Sequence, residues 1–345
     1  MKEKLSKLSQ KQAFWPVVIF LVILLFNGIA SGGDFFKLSI VEGHLYGRII
    51  DIFRNGSKLM LLAAGMTMVL ATGGTDISVG SVMAISGAIA CSIVNGNILP
   101  FLNGNVAAAI FLSVLAGVAC GFWNGFLVAK FKIQPIVATM ILLVAGRGIA
   151  QLVTNGKIVT ITSDAYYFIN GGYVLGLPFP MFIVIFLVGL LLLFVGKTSF
   201  GLSLESVGCN PKASKFAGIK VDRMLLAIYT ISGAFAAVAG LIESSGIKGA
   251  DCNNAGLNIE LDAILAVAIG GTNLMGGRFS IPASIAGALI VQSITTTVLA
   301  LGVPAAYIRV LKAVLIIVIC LSQSREFKAL LVASKEAKKR KAVGE

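Results

Sequence analysis

The sequence predicts an all-α integral membrane protein with about ten transmembrane helices, some of them short or broken by glycine-rich segments. Of the 345 residues, 57% are hydrophobic and only 12% are charged, and the mean hydropathy is +0.94. This composition lies well outside that of soluble domains, which cannot bury so much apolar surface. The deciding observation is a series of long charge-free tracts, because a bilayer core of about 30 Å needs about 20 apolar residues per helix.

Ten such stretches can be counted along the chain. The longest charge-free tracts are residues 12–33, 77–129, 165–196 and 279–308, and the second has room for two helices separated by an Asn-, Gly- and Pro-rich turn at residues 95–104. Shorter tracts lie at 59–75, 133–146, 224–242 and 263–277, followed by a final apolar stretch at about 305–321. Together they predict ten spans.

The first tract is predicted to be a retained helix from Phe14 to about Ala30. Four lysines precede it, as they would in a signal peptide, but the apolar run is too long and no small-residue cleavage site is evident. We therefore expect an N-terminal tail at residues 1–13, a membrane domain at residues 14–323 and a basic C-terminal tail at residues 324–345. No separate soluble domain is indicated.

The distribution of basic residues predicts the orientation. Most of the 28 Lys and Arg residues fall in four places, at residues 2–11, 130–132, 197–223 and 325–341. The positive-inside rule places all four in the cytoplasm. Ten crossings that start inside give the same result and leave both termini cytoplasmic. The net charge of +13 is thus a topology signal, and no nucleic-acid partner is predicted.

No cofactor or metal is predicted. The cysteines have no metal-ligand spacing and mostly lie in or beside apolar tracts, where Cys behaves as a small hydrophobic residue. The lone His44 is expected to be a solvated loop residue. The cysteines are Cys91, Cys120, Cys209, Cys252 and Cys320.

Glycines mark two further features. Gly117, Gly121 and Gly125 share one face of the fourth predicted helix, which favours close helix packing. A weak internal repeat also occurs 197 residues apart: Ala71, Gly73, Gly74, Thr75 and Gly80 correspond to Ala268, Gly270, Gly271, Thr272 and Gly277, and Asp76 corresponds to Asn273.

Two interpretations of the repeat stay open. Paired glycine-rich interruptions are typical of broken helices that line a transport pathway, but the same residues would also serve tight turns. By the helix count both segments lie on the same side of the membrane, which predicts a parallel repeat.

The one long polar connection, residues 197–223, is predicted to contain a short amphipathic helix at the membrane surface. Asn210 suits a helix N-cap and Pro211 the first turn, and Gly218 suits a stop. Gly196, Lys197 and Thr198 resemble the end of a phosphate-binding loop, but Leu191 occupies the position of the required earlier glycine. This motif therefore does not bind ATP.

Charged and polar residues inside spans are candidates for function. Arg147, between two glycines in the fifth span, either faces a polar pathway or pairs within the helix bundle, and pairing is favoured. Glu243 is a second charge of this kind. Arg309 and Lys312 are expected to reach the interface at the start of the last span. The candidate pathway residues are Thr75, Asp76, Asn124, Arg147 and Asn273.

Four segments resemble the permease family of bacterial sugar ABC importers, and the resemblance extends over nearly the whole chain. They are ATGGTDISVGSVMAISGA at 71–88, WNGFLVAKFKIQPIVATMI at 123–141, ESVGCNPKASKFAGI at 205–219 and ELDAILAVAIGGTNLMGGRF at 260–279. Residues 146–160 and 248–267 are most similar to members that import galactofuranose. The resemblance implies a transport subunit of the inner membrane, without a catalytic site.

In this family the segment at 205–219 is a coupling helix that docks on an ATPase, within a cytoplasmic segment at 198–223 here. The residues carried over are Glu205, Gly208, Asn210, Ala213, Ala217, Gly218 and Ile219. Ser206 and Ser214 replace the usual alanines without removing the helix or its stop. The implied partners are a cytoplasmic ATPase, a periplasmic sugar-binding protein, a second permease copy, identical or paralogous, and the lipid bilayer.

The leading mechanism is alternating access driven by ATP on the partner. A permease for branched-chain amino acids or nucleosides, an ion-coupled transporter and a passive channel remain as alternatives. The sequence shows no convincing Asp, Glu or His relay for ion coupling.

Overall fold

The computed structural model describes residues 14–30, 33–41, 43–304, 307, 308, 310–314 and 317. The helices in this part of the chain are α1 (Phe14–Ala30), α2 (Arg48–Ala71), α3 (Val79–Val94), α4 (Val106–Lys130), α5 (Pro135–Val153), α6 (Asp164–Gly171), α7 (Phe179–Lys197), α8 (Ser199–Cys209), α9 (Pro211–Phe216), α10 (Val221–Gly246), α11 (Ile259–Ile269) and α12 (Ile281–Ala300). The two predicted tails, most of the final span, Arg309 and Cys320 lie outside the described residues.

The predicted all-α class is confirmed. Among the described residues, α4, α5, α7, α10 and α12 are each long and apolar enough to cross a membrane, and α1 and α3 are shorter apolar helices. With α2 and α11, each predicted span before the final one has a helical counterpart.

Several helices differ in extent from the predicted spans, including α5 and α11, and two of the differences have clear physical reasons. The second span was placed at residues 59–75, but α2 begins at Arg48 and ends at Ala71, because charged residues in its first half continue the helix. The tract at 165–196 is divided into α6 and α7, since Gly171 and Gly172 end the first helix and Pro178 precedes the second.

The core of the bundle is built around α10, which packs most extensively against α4 and also against α2 and α3. Every residue of α2 from Leu59 to Ala71 is buried, as expected for a helix that is apolar on all sides. By contrast, α7 exposes large apolar side chains such as Phe186 and Leu190. An exposed apolar face of this kind suits contact with lipid.

The predicted glycine stripe on α4 forms a close helix contact. A Cβ atom at Gly121 would overlap the backbone of Tyr229 on α10, and one at Gly125 would lie 2.9 Å from the Cα atom of Leu226. A Cβ atom at Gly117 would overlap the Cβ atom of Ala237 and lie 2.7 Å from Gly233 O. The stripe therefore lets α4 and α10 approach backbone to backbone, as predicted.

Short strands connect some of the helices. β1 (Ser39–Val41) and β2 (His44–Tyr46) form one hairpin, β4 (Tyr173–Val174) and β5 (Leu177–Pro178) form another, and β3 (Val159–Thr160) pairs with β6 (Gly249–Ala250). Leu45 N donates to Gly176 O at 2.9 Å and joins the two hairpins. We call this the hairpin end of the bundle.

His44 was expected to be a solvated loop residue, and that expectation was wrong. The residue is half-buried, and its ring stacks on Tyr173 with 4.4 Å between ring centroids. β4 of the second hairpin therefore places the ring of Tyr173 over the imidazole.

The chain divides into residues 1–296 and residues 297–345. In the second unit, α12 ends at Ala300 and Gly302 adopts a φ of 73°, with Val303 N donating to Val298 O at 3.2 Å. This is the Schellman arrangement that commonly ends a helix.

Candidate functional site

The predicted coupling segment consists of two helices. Thr198 is the last residue of the short run that resembles a phosphate-binding loop. It caps α8 by accepting a hydrogen bond from Phe200 N at 3.2 Å. Asn210 separates α8 from α9, and its Oδ1 accepts from Ala213 N at 3.1 Å. The predicted N-cap at Asn210 is thereby confirmed, whereas the eleven-residue α8 before it was not anticipated.

α9 ends as the sequence predicts. Gly218 has a φ of 85°, its N–H donates to Lys215 O at 3.1 Å, and Ile219 N donates to Ser214 O at 3.0 Å. These two bonds form a Schellman motif, which favours glycine at the left-handed position.

Almost the whole surface of α9 is exposed. Ser214 is its one buried residue, and Phe216 is 93% exposed. Ala213 and Ala217 are exposed as well. The apolar side of α9 thus has no cover within the described part of this chain and is open to a partner.

α8 rests on the two glycine-rich repeat segments. A Cβ atom at Gly208 would overlap Ala71 O and Gly277 N, which are themselves hydrogen-bonded at 2.8 Å. A Cβ atom at Gly276 would lie 2.8 Å from Gly208 O and 2.9 Å from Gly73 N. Three backbone segments therefore meet here without intervening side chains. We call this contact the glycine junction.

The glycine junction is formed by backbone packing much more than by charge. Arg278 Nε and Glu205 Oε1 also face each other across it, at 4.0 Å, with side chains 87% and 43% exposed. Surface ion pairs of this kind contribute about 0–1 kcal/mol.

Each repeat segment is a helix cap of the same kind. After α2, Gly73 has a φ of 76° and Gly74 N donates to Val69 O at 3.3 Å; after α11, Gly271 has a φ of 77° and Thr272 N donates to Val267 O at 3.3 Å. The two caps are 198 residues apart, so the repeat matched from the sequence at 197 is displaced by one residue. Both helices reach the junction with their C-termini, so the two segments lie at the same end of the bundle.

Both interpretations of the repeat hold in part, because tight turns and short helices occur together. α3 has 16 residues and α11 has 11, so at about 1.5 Å per residue they extend about 24 Å and about 17 Å, less than a bilayer core. Non-helical segments adjoin them at residues 72–78 and 251–258.

The N-terminal ends of the two short helices also meet. A Cβ atom at Gly80 would overlap Gly256 O and lie 2.9 Å from Glu260 Oε2. Gly256 itself has a φ of 59°. Glycine is required on both sides, because neither backbone leaves room for a side chain.

Asp76 and Asn124 belong to one buried network. The two Asp76 oxygens accept from Ser78 N at 3.0 Å, Ser78 Oγ at 2.6 Å and Ser232 Oγ at 2.9 Å. Asn124 Nδ2 donates to Ser78 Oγ at 2.8 Å. Asp76 and Asn124 are 1% and 0% exposed, so they fasten the start of α3 to α4 and α10 and do not line an open path in this structure.

The other three candidate pathway residues lie apart from this network. Arg147 Nη1 donates to Cys252 O at 3.0 Å and to Ala255 O at 2.5 Å. Arg147 thus holds the segment at residues 251–258 against α5, which agrees with the favoured structural role. Asn273 is exposed and its Oδ1 accepts from Met275 N at 3.1 Å, whereas Thr75 is half-buried beside Asp76.

The sequence did not identify the partners of these groups. Ser78 and Ser232 are needed to satisfy Asp76, but serines within an apolar tract carry no pattern of their own. Lys58, whose Nζ lies 3.4 Å from Glu243 Oε2, could have been found, because a charge near the start of a predicted span calls for a partner.

In the described part of the chain, no three His, Cys, Asp or Glu side chains come together as a metal site would require. Long apolar helices, two short helices with non-helical extensions, and α8 packed against the caps of α2 and α11 define a multi-pass membrane protein.

The chain belongs to the family described as the branched-chain amino acid transport system permease component, which matches residues 48–320. It is 44% identical over 324 residues to the galactofuranose transporter permease YtfT of Escherichia coli, covering 92% of each chain. It is 37% identical over 326 residues to the fructose import permease FruF of Bifidobacterium longum, covering 92% of this chain and 89% of the relative.

A third relative is the ribose import permease RbsC of Haemophilus influenzae, 33% identical over 311 residues, covering 88% of this chain and 92% of the relative. No solved structure matches the chain. The chain is therefore a multi-pass inner-membrane transport subunit of this permease family.

Proposed function

We propose that the chain is the permease subunit of an ATP-driven importer and that it translocates a monosaccharide, with galactofuranose as the first candidate. Three relatives that it matches over most of its length are named for galactofuranose, fructose and ribose. The family description names branched-chain amino acids, so an amino-acid permease is the alternative to be tested.

The observation that carries the proposal is the position of Gly208 at the glycine junction. An importer driven from outside the membrane needs a rigid connection between a partner and the elements that open the path. α8 supplies it, because it touches the caps of both α2 and α11 by backbone contact. A displacement of α8 therefore moves both caps together.

The exposed α9 is the docking element for the ATPase. Phe216 and Ala217 supply an apolar contact, and Lys212 and Lys215 next to them suit an acidic groove. ATP binding and hydrolysis occur on that partner. Selective binding of the partner to one arrangement of α8 shifts the equilibrium between inward-open and outward-open states.

The orientation follows from this assignment. α8, α9 and both termini face the cytoplasm, and the hairpin end faces the periplasm, where a sugar-binding protein delivers the solute. The path lies between two permease copies, identical or paralogous. Asp76, Asn124 and Arg147 act within each copy by fixing the short helices in place.

Uptake by the reconstituted importer tests the function. Proteoliposomes with this chain, its ATPase and its binding protein are expected to accumulate radiolabelled sugar when ATP is enclosed, also after ionophores collapse the ion gradients. Uptake by this chain alone, or uptake abolished by the ionophores, would refute the ATP-driven mechanism.

Competition identifies the class of solute. Unlabelled galactofuranose, ribose, fructose and leucine are added in excess during uptake. Inhibition by a sugar and not by leucine supports the proposal, and inhibition by leucine alone replaces it with the amino-acid alternative.

A further inference from the structure

A polar cavity opens near the hairpin end, between α2, α6 and α10. It has a volume of about 270 Å³ and is lined by Arg54, Asn55, Lys58, Asn170, Ile242, Glu243, Gly246 and Ile247. Asn55 and Ile247 are exposed, so the cavity communicates with the surface. It lies far from the glycine junction, because Arg54 and Lys58 stand in the first half of α2 and Ala71 ends it.

The charged groups of this cavity are held in a fixed arrangement. Lys58 Nζ lies 3.4 Å from Glu243 Oε2. Arg54 Nε donates to Asn170 O at 3.1 Å, and Asn170 N donates to Ser245 Oγ at 3.1 Å. Ionisable groups within membrane helices are expensive and usually serve a path or a site.

The lining combines hydrogen-bond donors and acceptors in one small space. The lysine, arginine and amide groups donate, whereas Glu243 and the side-chain oxygens of Asn55 and Asn170 accept. α6 and α10 also end here with their C-termini, at Gly171 and Gly246. The carbonyl groups of a helix C-terminus carry partial negative charge and accept hydrogen bonds.

This chemistry favours a neutral solute over an anion. The charge of Lys58 is balanced by Glu243, and Arg54 faces the carbonyl end of α6. A sugar hydroxyl donates and accepts at once and therefore suits a mixed lining, whereas an anion would meet the carboxylate and two helix C-termini. The volume lies just below the range of about 300–1,000 Å³ for drug-sized ligands, as a single sugar ring requires.

We propose that this cavity is the binding site at which one neutral, polyhydroxylated ring is received on its way into the permease. The proposal rests on the proposed function and adds the place where this chain contacts the solute. Arg54, Asn55, Lys58 and Glu243 form its polar wall.

Filling the cavity tests the proposal. Asn55→Trp places a large side chain at an exposed position of the wall, and Asn97→Trp is the matched control, an exposed asparagine in the turn between α3 and α4. In proteoliposomes with the complete importer, and with the sugar that the wild type accumulates, we expect uptake to fall at least tenfold for Asn55→Trp. The control should remain within twofold of the wild type.

Labelling gives a second measurement that does not depend on folding of the tryptophan variant. Asn55→Cys is treated with a membrane-impermeant maleimide, with the unchanged chain as the background for its native thiols. Excess sugar should slow labelling at position 55 at least threefold and leave labelling of Asn97→Cys unchanged.

The outcomes separate the two proposals. A wild-type importer that accumulates no sugar refutes the proposed function. A wild type that accumulates sugar, together with normal uptake by Asn55→Trp or unprotected labelling of Asn55→Cys, refutes the cavity assignment alone.

Discussion

Gly208→Ala is the sharpest perturbation of the coupling route, because it adds one carbon atom at the point where α8 meets both caps. The new Cβ would overlap Ala71 O and Gly277 N. Both are backbone atoms, so no flexible side chain can move away. The helix must shift, and the hydrogen bond between Gly277 N and Ala71 O, now 2.8 Å, must lengthen.

The size of the effect follows from these two consequences. Overpacking a close contact costs about 1–3 kcal/mol, and the loss of one backbone hydrogen bond adds roughly 0.5–1.5 kcal/mol. We therefore expect the docked position of α8 to lose about 2–4 kcal/mol. Since about 1.4 kcal/mol corresponds to a factor of ten, its population relative to a displaced α8 falls by roughly 30-fold or more.

The assay measures sugar uptake and ATP hydrolysis by the reconstituted importer, together with the amount of chain in the membrane. Gly208→Ala should stay in the membrane, hydrolyse ATP without stimulation by sugar-loaded binding protein, and import sugar at least tenfold more slowly. Gly196→Ala is the control, because a Cβ at Gly196 meets no atom within 4 Å. Normal uptake by Gly208→Ala would show that the glycine junction does not transmit the ATPase signal.

Three further substitutions test the other parts of the site. Gly218→Trp should lower sugar uptake more than tenfold without changing the amount of protein in the membrane, because φ is 85° there and the position adjoins the docking surface. Normal sugar-stimulated ATP hydrolysis by this variant would contradict the prediction. Arg147→Lys should slow uptake without changing the half-saturation concentration for sugar, because the guanidinium of Arg147 bonds to Cys252 O and Ala255 O. A raised half-saturation concentration would indicate that Arg147 contacts the solute instead. Asp76→Asn should lower the free energy of unfolding in detergent by about 1–3 kcal/mol, because an amide group would face donors in a buried network; an unchanged denaturation midpoint would argue against that network.

The fold could be predicted largely from local signals. Charge-free tracts identify membrane helices because lipid excludes charge, and the caps at Asn210 and Gly218 follow from short-range hydrogen bonding. The spacing of Gly117, Gly121 and Gly125 predicts a face for close helix packing because helix periodicity places them on one side, although it does not identify α10 as the partner. Each of these predictions needs only neighbouring residues.

The candidate site could not be predicted to the same extent, because it depends on contacts between distant segments. Gly208, Ala71 and Gly277 lie in three separate glycine-containing segments of the sequence. No sequence pattern indicates that the backbone of Gly208 contacts the other two. Likewise, the start of α2 was missed because Arg54 and Lys58 read as polar loop residues, although their partners lie on α6 and α10.

The one-residue displacement of the repeat has a consequence for how the two halves work. Aligned by their helix caps, Asp76 corresponds to Leu274 and not to Asn273, so the second half has no buried carboxylate at this position. The segment after α2 is fastened to α10 through Asp76 and Ser232, whereas Met275, in the segment after α11, is 85% exposed. A displacement of α8 thus acts on one segment that a buried carboxylate ties to α10 and on one without such a carboxylate, which Gly277 N joins to Ala71 O. We therefore expect the larger displacement at the α11 side of the glycine junction.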